Sequence, residues 1–242
     1  MYSKERGFTE PENPNQKTWR FIDFTKYVDL LEKQSLYFCR LDKFKDPYEG
    51  VFPTGDKKSF PLHQWTNLSR QLYFVNCWHM NDYESAGMWD LYNSSENGIA
   101  IQSTFPRMKQ SFDNTDKMIL MSTVKYHDYE SKTHDELLSE NKSTSWIGSS
   151  INPATFKRSN FEHEKEIRAL YVDLPVEVEQ KKIHARNLPS GMSIKVHLDS
   201  LIERIVVSPR AESWFVDLVK AVSMRYGLKC NVDGSNLYRR TF

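Results

Sequence analysis

The chain has 242 residues, with 33 Lys and Arg against 32 Asp and Glu, and a formal net charge of +1 at pH 7. That balance excludes the strongly basic footprint of a tight nucleic-acid binder and offers no pull toward an anionic membrane. With 39% hydrophobic and 13% aromatic residues it can bury a sizeable core, and the length suits one domain.

Residues 1–17 are polar, contain Pro11 and Pro14, and read as a mobile N-terminal arm. Residues 18–23 read as a strand, and 24–34 as a helix with Phe24, Tyr27, Val28 and Leu31 on one face. Residues 35–41 form a second strand, followed by the loop "DKFKDPYEG", which Asp46-Pro47 halts and Gly50 closes. Residues 73–78 are rich in β-branched and aromatic types and read as a strand. A helix is expected from Asp82 or Tyr83 to about Tyr92, stopped by "NSSENG". A strand at 98–105 with a short helix after it and a strand-like run at 117–129 follow. Residues 139–153 are Ser/Asn-rich and read as a flexible loop, with Trp146 expected to pack over something and report its movement. A helix at 154–162 and a strand in "KEIRALYVDL" come next. "GMSIKVHL" and "ERIVVSP" are two more strands, and Ser208 with Pro209 is set to start a helix that Gly227 ends. "KCNVDGSNLYRR" reads as a last strand at an edge. Helices and strands interleave while several connections look like hairpins. The expected fold is therefore a single α+β domain over 18–242, with a mixed, mostly antiparallel central sheet flanked by helices. Its strands are expected near residues 19, 36, 74, 99, 168 and 205.

The three cysteines, Cys39, Cys77 and Cys230, are far apart and make no CxxC, which argues for a reducing compartment and against a zinc site. No GxGxxG, GxxxxGK[ST] or HExxH occurs, and no apolar run is long enough to span a membrane. The expectation is a cytoplasmic protein with neither metal nor membrane partner.

On the 83–92 helix, Glu84, Ser85, Met88, Trp89 and Tyr92 would fall within roughly 140° of one another. Met88, Trp89 and Tyr92 turn that stripe inward and take Glu84 with it. A buried carboxylate needs a fixed partner, so Glu84→Ala should cost roughly 2–4 kcal/mol. Arg40 is a candidate partner for Glu84 or a phosphate ligand. Asp46 and Glu49 read either as ligands to a cation or substrate hydroxyl, or as a turn in which Asp46 bonds its own backbone. Cys77 and His79 share a strand face and could form a nucleophile pair, or Cys77 is simply a buried cysteine. If a strand begins near Glu164, then Glu164, Glu166 and Arg168 share one face. Two carboxylates beside a guanidinium make an acid/base or ribose-clamping group. They equally suit a solvated helix end with surface pairs such as Glu162 with Lys165 and Glu164 with Arg168.

"LYFCRLDKFKDPYEG", "CWHMNDYESAGMWDLYNSSENGIAIQS", "FEHEKEIRALY" and "VVSPRAESWFVDLV" occur in that order. Together they resemble the bacterial domain-of-unknown-function family DUF2971, from about residue 19 to about 238. The most specific pieces are Cys77-Trp78-His79, Glu84-Ser85, Met88-Trp89 and Tyr92. The Asp46-Pro47-x-Glu49 loop and Glu164-x-Glu166-x-Arg168 come next. The Glu-x-Glu that opens a late strand is also similar to the catalytic pattern of ADP-ribosyltransferases. That resemblance implies NAD as a ligand, with one glutamate bonding the nicotinamide ribose and favouring an oxocarbenium-like transition state.

Three functions follow. The first is a nucleotide- or NAD-using transferase or glycohydrolase of ADP-ribosyltransferase-like type. Glu166 and Glu164 would be its catalytic pair, and Arg168, Arg40, Glu84, Trp89, Tyr92, Asp46 and Glu49 its ligand-binding residues. The second is a non-catalytic ligand- or protein-binding module in regulation or defence. The third is a metal-dependent nuclease using Asp46, Glu49, Glu164 and Glu166, which the near-neutral charge disfavours.

Overall fold

In a computed structural model of the chain, the described residues are 2–3, 8–51, 70–92, 96–131, 136, 152–173 and 188–239. Strand β1 (Tyr2–Ser3) pairs with β6 (Ile119–Thr123), and β2 (Lys17–Asp23) opens the body of the sheet. Alternation sends Trp19 and Phe21 to one face of β2, and Thr18, Arg20 and Ile22 to the other. Asp23 then caps helix α1 (Phe24–Lys33), its side chain accepting from the Lys26 amide at 2.8 Å. Gln34, in the left-handed region at φ 45, closes the helix and turns the chain into β3 (Ser35–Arg40). Tyr27, Leu30 and Leu31 form the buried stripe of α1.

Next come β4 (Tyr73–Met80), helix α2 (Ala86–Tyr92), β5 (Gly98–Thr104) and helix α3 (Phe105–Ser111). After β6 and β7 (Lys125–His127), the described chain resumes with a 3-10 turn into β8 (Phe156–Arg158). A 3-10 helix (Ser159–Glu164) leads to β9 (Glu166–Val172). The remaining elements are β10 (Gly191–Lys195), α4 (Leu198–Leu201), β11 (Arg204–Val207), α5 (Ser213–Arg225) and β12 (Asn231–Gly234).

Ten strands of the described residues make one sheet in the order β1-β6-β9-β4-β2-β5-β11-β12, with β3 also on β4 and β10 on β3. Only β1–β6 and β11–β12 run parallel in it. All six strands expected near residues 19, 36, 74, 99, 168 and 205 belong to it, so the α+β, mostly antiparallel architecture is the one read from the sequence.

Several expected boundaries move. The 154–162 helix is instead β8 between two 3-10 segments, because Phe156 and Lys157 pair with Lys125 and Tyr126. The strand-like run at 117–129 is divided at Val124, whose amide bonds the Glu166 carbonyl at 2.8 Å. Helix α2 starts at Ala86, and Ser85 Oγ accepts from the Met88 amide at 3.3 Å. Helix α5 starts at Ser213 rather than at Pro209, with Glu212 in the cap position. The expected 139–153 loop, with Trp146, lies outside the described residues save for residues 152–153.

β4 is where the sheet divides. One edge pairs with β9 along its whole length, from Tyr73↔Val172 to His79↔Glu166. The other edge pairs with β3 only at Phe74 and Val75, and with β2 only at His79 and Met80. Between them, Asn76, Cys77 and Trp78 face a gap bridged by side chains. Arg20 Nη1 donates to the Cys77 carbonyl at 2.7 Å, and Asn76 Nδ2 to the Tyr37 carbonyl at 2.9 Å. The α1 side of the sheet carries the main core, including Ile22, Trp78, Ile167 and Ala169. The opposite side carries two smaller clusters, one around Val75, Leu120 and Leu170, the other around Trp19, Phe21, Met88 and Trp89. Cys77, His79, Glu166 and Arg168 lie between these two in register.

Candidate active site

Two departures from regular backbone bring three carboxylates together. In the 46–50 loop, Asp46 Oδ1 accepts from the Tyr48 amide at 3.0 Å and the Asp46 carbonyl from the Glu49 amide at 3.1 Å. Gly50 continues the turn at φ +70, where a Cβ would also strike Leu41 Cδ2. The turn aims Glu49 inward. At the other end, Lys165 sits at φ 40, a conformation unusual for a residue with a side chain. The expected strand at Glu164 is thus a helical end, and the strand begins at Glu166. The left-handed step turns Glu164 back, so that both glutamates reach the same lysine.

That lysine is Lys157 on β8. Its Nζ lies 2.7 Å from Glu166 Oε1, 3.0 Å from Glu164 Oε2 and 3.1 Å from Glu49 Oε1. Arg168 completes the network from the middle of β9. Its Nε donates to Glu166 Oε2 at 2.7 Å, and its Nη1 and Nη2 take Glu49 Oε2 and Oε1 at 3.0 and 3.1 Å. Nη1 also donates to the Ala154 carbonyl at 2.8 Å. Arg168 is fully buried and Glu49 is 2% exposed. The helix-end ion pairs of Glu162 with Lys165 and Glu164 with Arg168 are not formed, because Arg168 points into the sheet layer.

Three carboxylates face two cations, so one negative charge is left over, and the network assigns it unevenly. Burial alone would raise Glu166, but Arg168 and Lys157 outweigh it and hold its carboxyl well below the usual range. Glu164 has Lys157 but no guanidinium, and burial together with the charge of Glu166 raises its carboxyl. The Tyr92 hydroxyl donates to Glu164 Oε2 at 2.9 Å. Two adjacent carboxyls with affinities pushed apart are the pattern of an acid/base pair.

A cleft of about 460 Å³ runs through the gap in the sheet. Glu164, Glu166, Tyr92 and His79 line it on one side of the sheet, and Ile22, Leu30 and Leu36 on the α1 side. Arg20 lines it between them. Beyond its bond to the Cys77 carbonyl, Arg20 meets no carboxylate among the described residues. Burial accordingly lowers its guanidinium below its usual range. His79 Nδ1 donates to the Glu164 carbonyl at 2.6 Å, while its Nε2 is buried with no partner among the described residues. Burial lowers this imidazole too, which favours its neutral form. The Cys77 thiol is pushed far up, first by burial and then by Glu166, and His79 is engaged elsewhere, so the two do not form a nucleophile pair.

The structure therefore joins Asp46, Glu49, Glu164, Glu166, Arg168 and Tyr92 in one region, with Asp46 at its rim on Arg158 at 3.0 Å. It separates three others. Arg40 is held by Asp42 at 2.6 Å and by the Leu188 carbonyl, and partners neither Glu84 nor the cleft. Trp89 is buried edge-on against Phe21 at 4.9 Å and is core. Glu84 is only partly buried and accepts from Trp89 Nε1 at 3.2 Å and Ser235 Oγ at 2.5 Å, with no basic partner among them. It precedes the helix, so the inward stripe does not carry it. Tyr92 is half-exposed, since only its hydroxyl end enters the site. With two neutral donors and partial burial, Glu84→Ala is expected to cost about 1–2 kcal/mol rather than the larger penalty of a buried ion. Chemical denaturation of both proteins checks this, and a loss above about 3 kcal/mol would contradict it.

Lys157 and Arg20 were not singled out in the sequence, and His79 was read there only as a possible partner of Cys77. Arg20 had one signal: a charged residue inside the apolar alternation "TWRFID", on the face that carries Ile22. Lys157 had none, since its strand pairing is with a residue 31 positions earlier in the chain, Tyr126.

A family model described as "Protein of unknown function (DUF2971)" matches residues 88–169. The match contains Trp89, Tyr92, Glu164, Glu166 and Arg168. No curated protein matches the chain. Among solved structures, Thermus sp. 2.9 DarT in complex with NAD+ is 12% identical with a TM-score of 0.40, over 94% of this chain and 98% of that one. The same protein in complex with carba-NAD+ is 11% identical with a TM-score of 0.42, over 93% and 97%. In complex with ADP-ribosylated ssDNA it is 11% identical with a TM-score of 0.40, over 93% and 95%. No helix among the described residues is long and apolar enough to cross a membrane.

Proposed function

We propose that the protein is a nucleotide-using transferase or glycohydrolase of ADP-ribosyltransferase-like type, with NAD as its substrate, acting in the cleft through the divided sheet. The observation that carries the reading is the placement of a cation with no counter-ion among the described residues, Arg20, in the gap, with the Glu164–Glu166 pair beyond it. A guanidinium in a cleft with no carboxylate in reach is stabilised by an anion, and a phosphate supplies one. The carboxylates then lie beside the ribosyl group attached to that phosphate.

Each residue has a role in this scheme. Glu166 is saturated by Lys157 and Arg168, so it is a positioning residue that fixes the site's charge. Glu164 is the group set against the reacting carbon, held by Tyr92 and Lys157. The ribosyl carbon–nitrogen bond breaks and its electron pair leaves with nicotinamide. Ionised Glu164 stabilises the positive charge left on the ribosyl carbon. Water or an acceptor nucleophile adds to that carbon, and its proton passes to Glu164.

The test is calorimetry with NAD and ADP-ribose, alongside an assay for released nicotinamide. Wild type should bind both, and Arg20→Ala should weaken both by ten-fold or more, since a charge-assisted hydrogen bond is worth about 1.5–3 kcal/mol. Binding of neither ligand would overturn the reading. Binding without nicotinamide release, with any acceptor supplied, would favour the non-catalytic binding module.

A further inference from the structure

We propose that Lys165 is a positioning residue for Glu164 and acts through its backbone, so that the site needs the left-handed step and not the lysine side chain. This rests on the reading above that Glu164 is the reacting carboxylate, and names the residue that aims it. Lys165 stands at φ 40 and ψ 57, between the 3-10 helix that ends at Glu164 and the strand that begins at Glu166. A Cβ disfavours that region, and Gly and Asn are the residues that tolerate it. The lysine side chain is exposed and makes no hydrogen bond or ion pair among the described residues. The backbone around it is fully engaged. The Glu164 carbonyl accepts from His79 Nδ1 at 2.6 Å, and the Lys165 carbonyl from the Met80 amide at 2.9 Å. The Lys165 amide donates to the Glu162 carbonyl at 3.1 Å, and the Glu166 amide to the Tyr126 hydroxyl at 2.8 Å. The Glu166 carbonyl takes the Val124 amide at 2.8 Å. Every backbone polar group from the Glu164 carbonyl to the Glu166 carbonyl therefore has a partner, β4 holding one side and the 124–126 segment the other. A strained conformation persists where its surroundings over-determine it, and such places cluster at functional sites.

An extended residue at 165 would run Glu164 on along the axis of β9, at about 3.3 Å per residue. The left-handed step folds the chain back instead. The Glu164 carboxyl then meets Lys157 Nζ at 3.0 Å and the Tyr92 hydroxyl at 2.9 Å. The titratable groups that face it are Lys157 from β8, Glu166 from β9 and Tyr92 from α2. Glu49 shares the same lysine, and His79 sits on the Glu164 carbonyl.

Two measurements on the full chain test this with Lys165→Gly, Lys165→Asn and Lys165→Val. One is steady-state nicotinamide release from NAD. The other is an NMR titration of isotope-labelled glutamate carboxyls, with the Glu164 signal assigned by its absence in Glu164→Gln. Lys165→Gly and Lys165→Asn should keep kcat within about two-fold of wild type and keep the Glu164 titration where it is. Lys165→Val should lower kcat about ten-fold or more with KM within about two-fold, and return the Glu164 titration toward the ordinary carboxylate range. Should Lys165→Val fail to fold, Lys165→Ala takes its place, with a smaller loss in the same direction. Loss of activity or a moved titration in Lys165→Gly or Lys165→Asn would make the lysine side chain the requirement and overturn the proposal. Wild-type kcat and titration in folded Lys165→Val would overturn it too. If wild type releases no nicotinamide, the reading of Glu164 as the reacting group falls, and the titration still decides the positioning role. A Glu164 titration that moves in Lys165→Val then upholds that role, and one that stays overturns it.

Discussion

Arg168→Ala is expected to melt about 10 °C or more below wild type. Arg168 is fully buried in the central strand and joins Glu49, Glu166 and the Ala154 carbonyl. Its removal leaves three carboxylates to Lys157 alone. Breaking one partner out of a buried ionic network costs roughly 3–5 kcal/mol. In a chain of this length each kcal/mol moves the midpoint by about 2–4 °C. Arg168→Lys should recover little, because an ammonium cannot take Glu49 and Glu166 with two parallel bonds each. Differential scanning fluorimetry measures both variants. A midpoint within about 3 °C of wild type for Arg168→Ala would mean that the network contributes almost nothing to stability.

Glu164→Gln is expected to lower turnover by about 10²–10⁴-fold while leaving the fold intact. The amide keeps an acceptor for Lys157 and Tyr92 and removes the charge that would stand against the ribosyl carbon. The pH dependence separates this role from packing. Glu164 has a raised affinity for its proton, caused by burial and the charge of Glu166. Activity that needs the ionised form should therefore rise with pH along a limb above the ordinary carboxylate range, and the variant should lose that limb. Stability moves in the opposite sense. A carboxyl raised in the folded state contributes stability that is present at low pH and lost as pH rises through its folded value. Replacing it with glutamine removes that loss, so the variant should gain on wild type toward neutral pH. Glu166 behaves the other way, because its depressed carboxyl contributes stability above the unfolded carboxylate range that is lost on acidification. An acid limb that survives in Glu164→Gln would transfer the titration to another group.

How far the site was legible in the sequence varies residue by residue. Glu164, Glu166 and Arg168 lie within five positions, so a local pattern identified them, although the expected strand alternation is replaced by a left-handed step at Lys165. Glu49 was legible only as an acidic residue in a turn, since its partner Arg168 is 119 positions away. Arg40 and Glu84 looked like the same kind of candidate and were not. Arg40 has an acid two residues on, and Glu84 has donors in Trp89 and Ser235. A side chain's type and helical phase do not say which polar group reaches it first.

The sequence by itself determined the elements and their class. Alternation of apolar residues along 18–23, 73–78 and 166–172, and the Asp23 cap before a helical stripe, are local physics acting within a few residues. These were enough to specify a mostly antiparallel sheet with helices. Only the tertiary structure decided that β4 shares one edge between β2 and β3, because strand pairing depends on contacts between segments tens of residues apart. That division opens the cleft and leaves Arg20 with no counter-ion among the described residues. It also brings Lys157 between Glu49, Glu164 and Glu166, a meeting of four side chains that come from the 46–50 turn, β8, the end of a 3-10 helix and the start of β9.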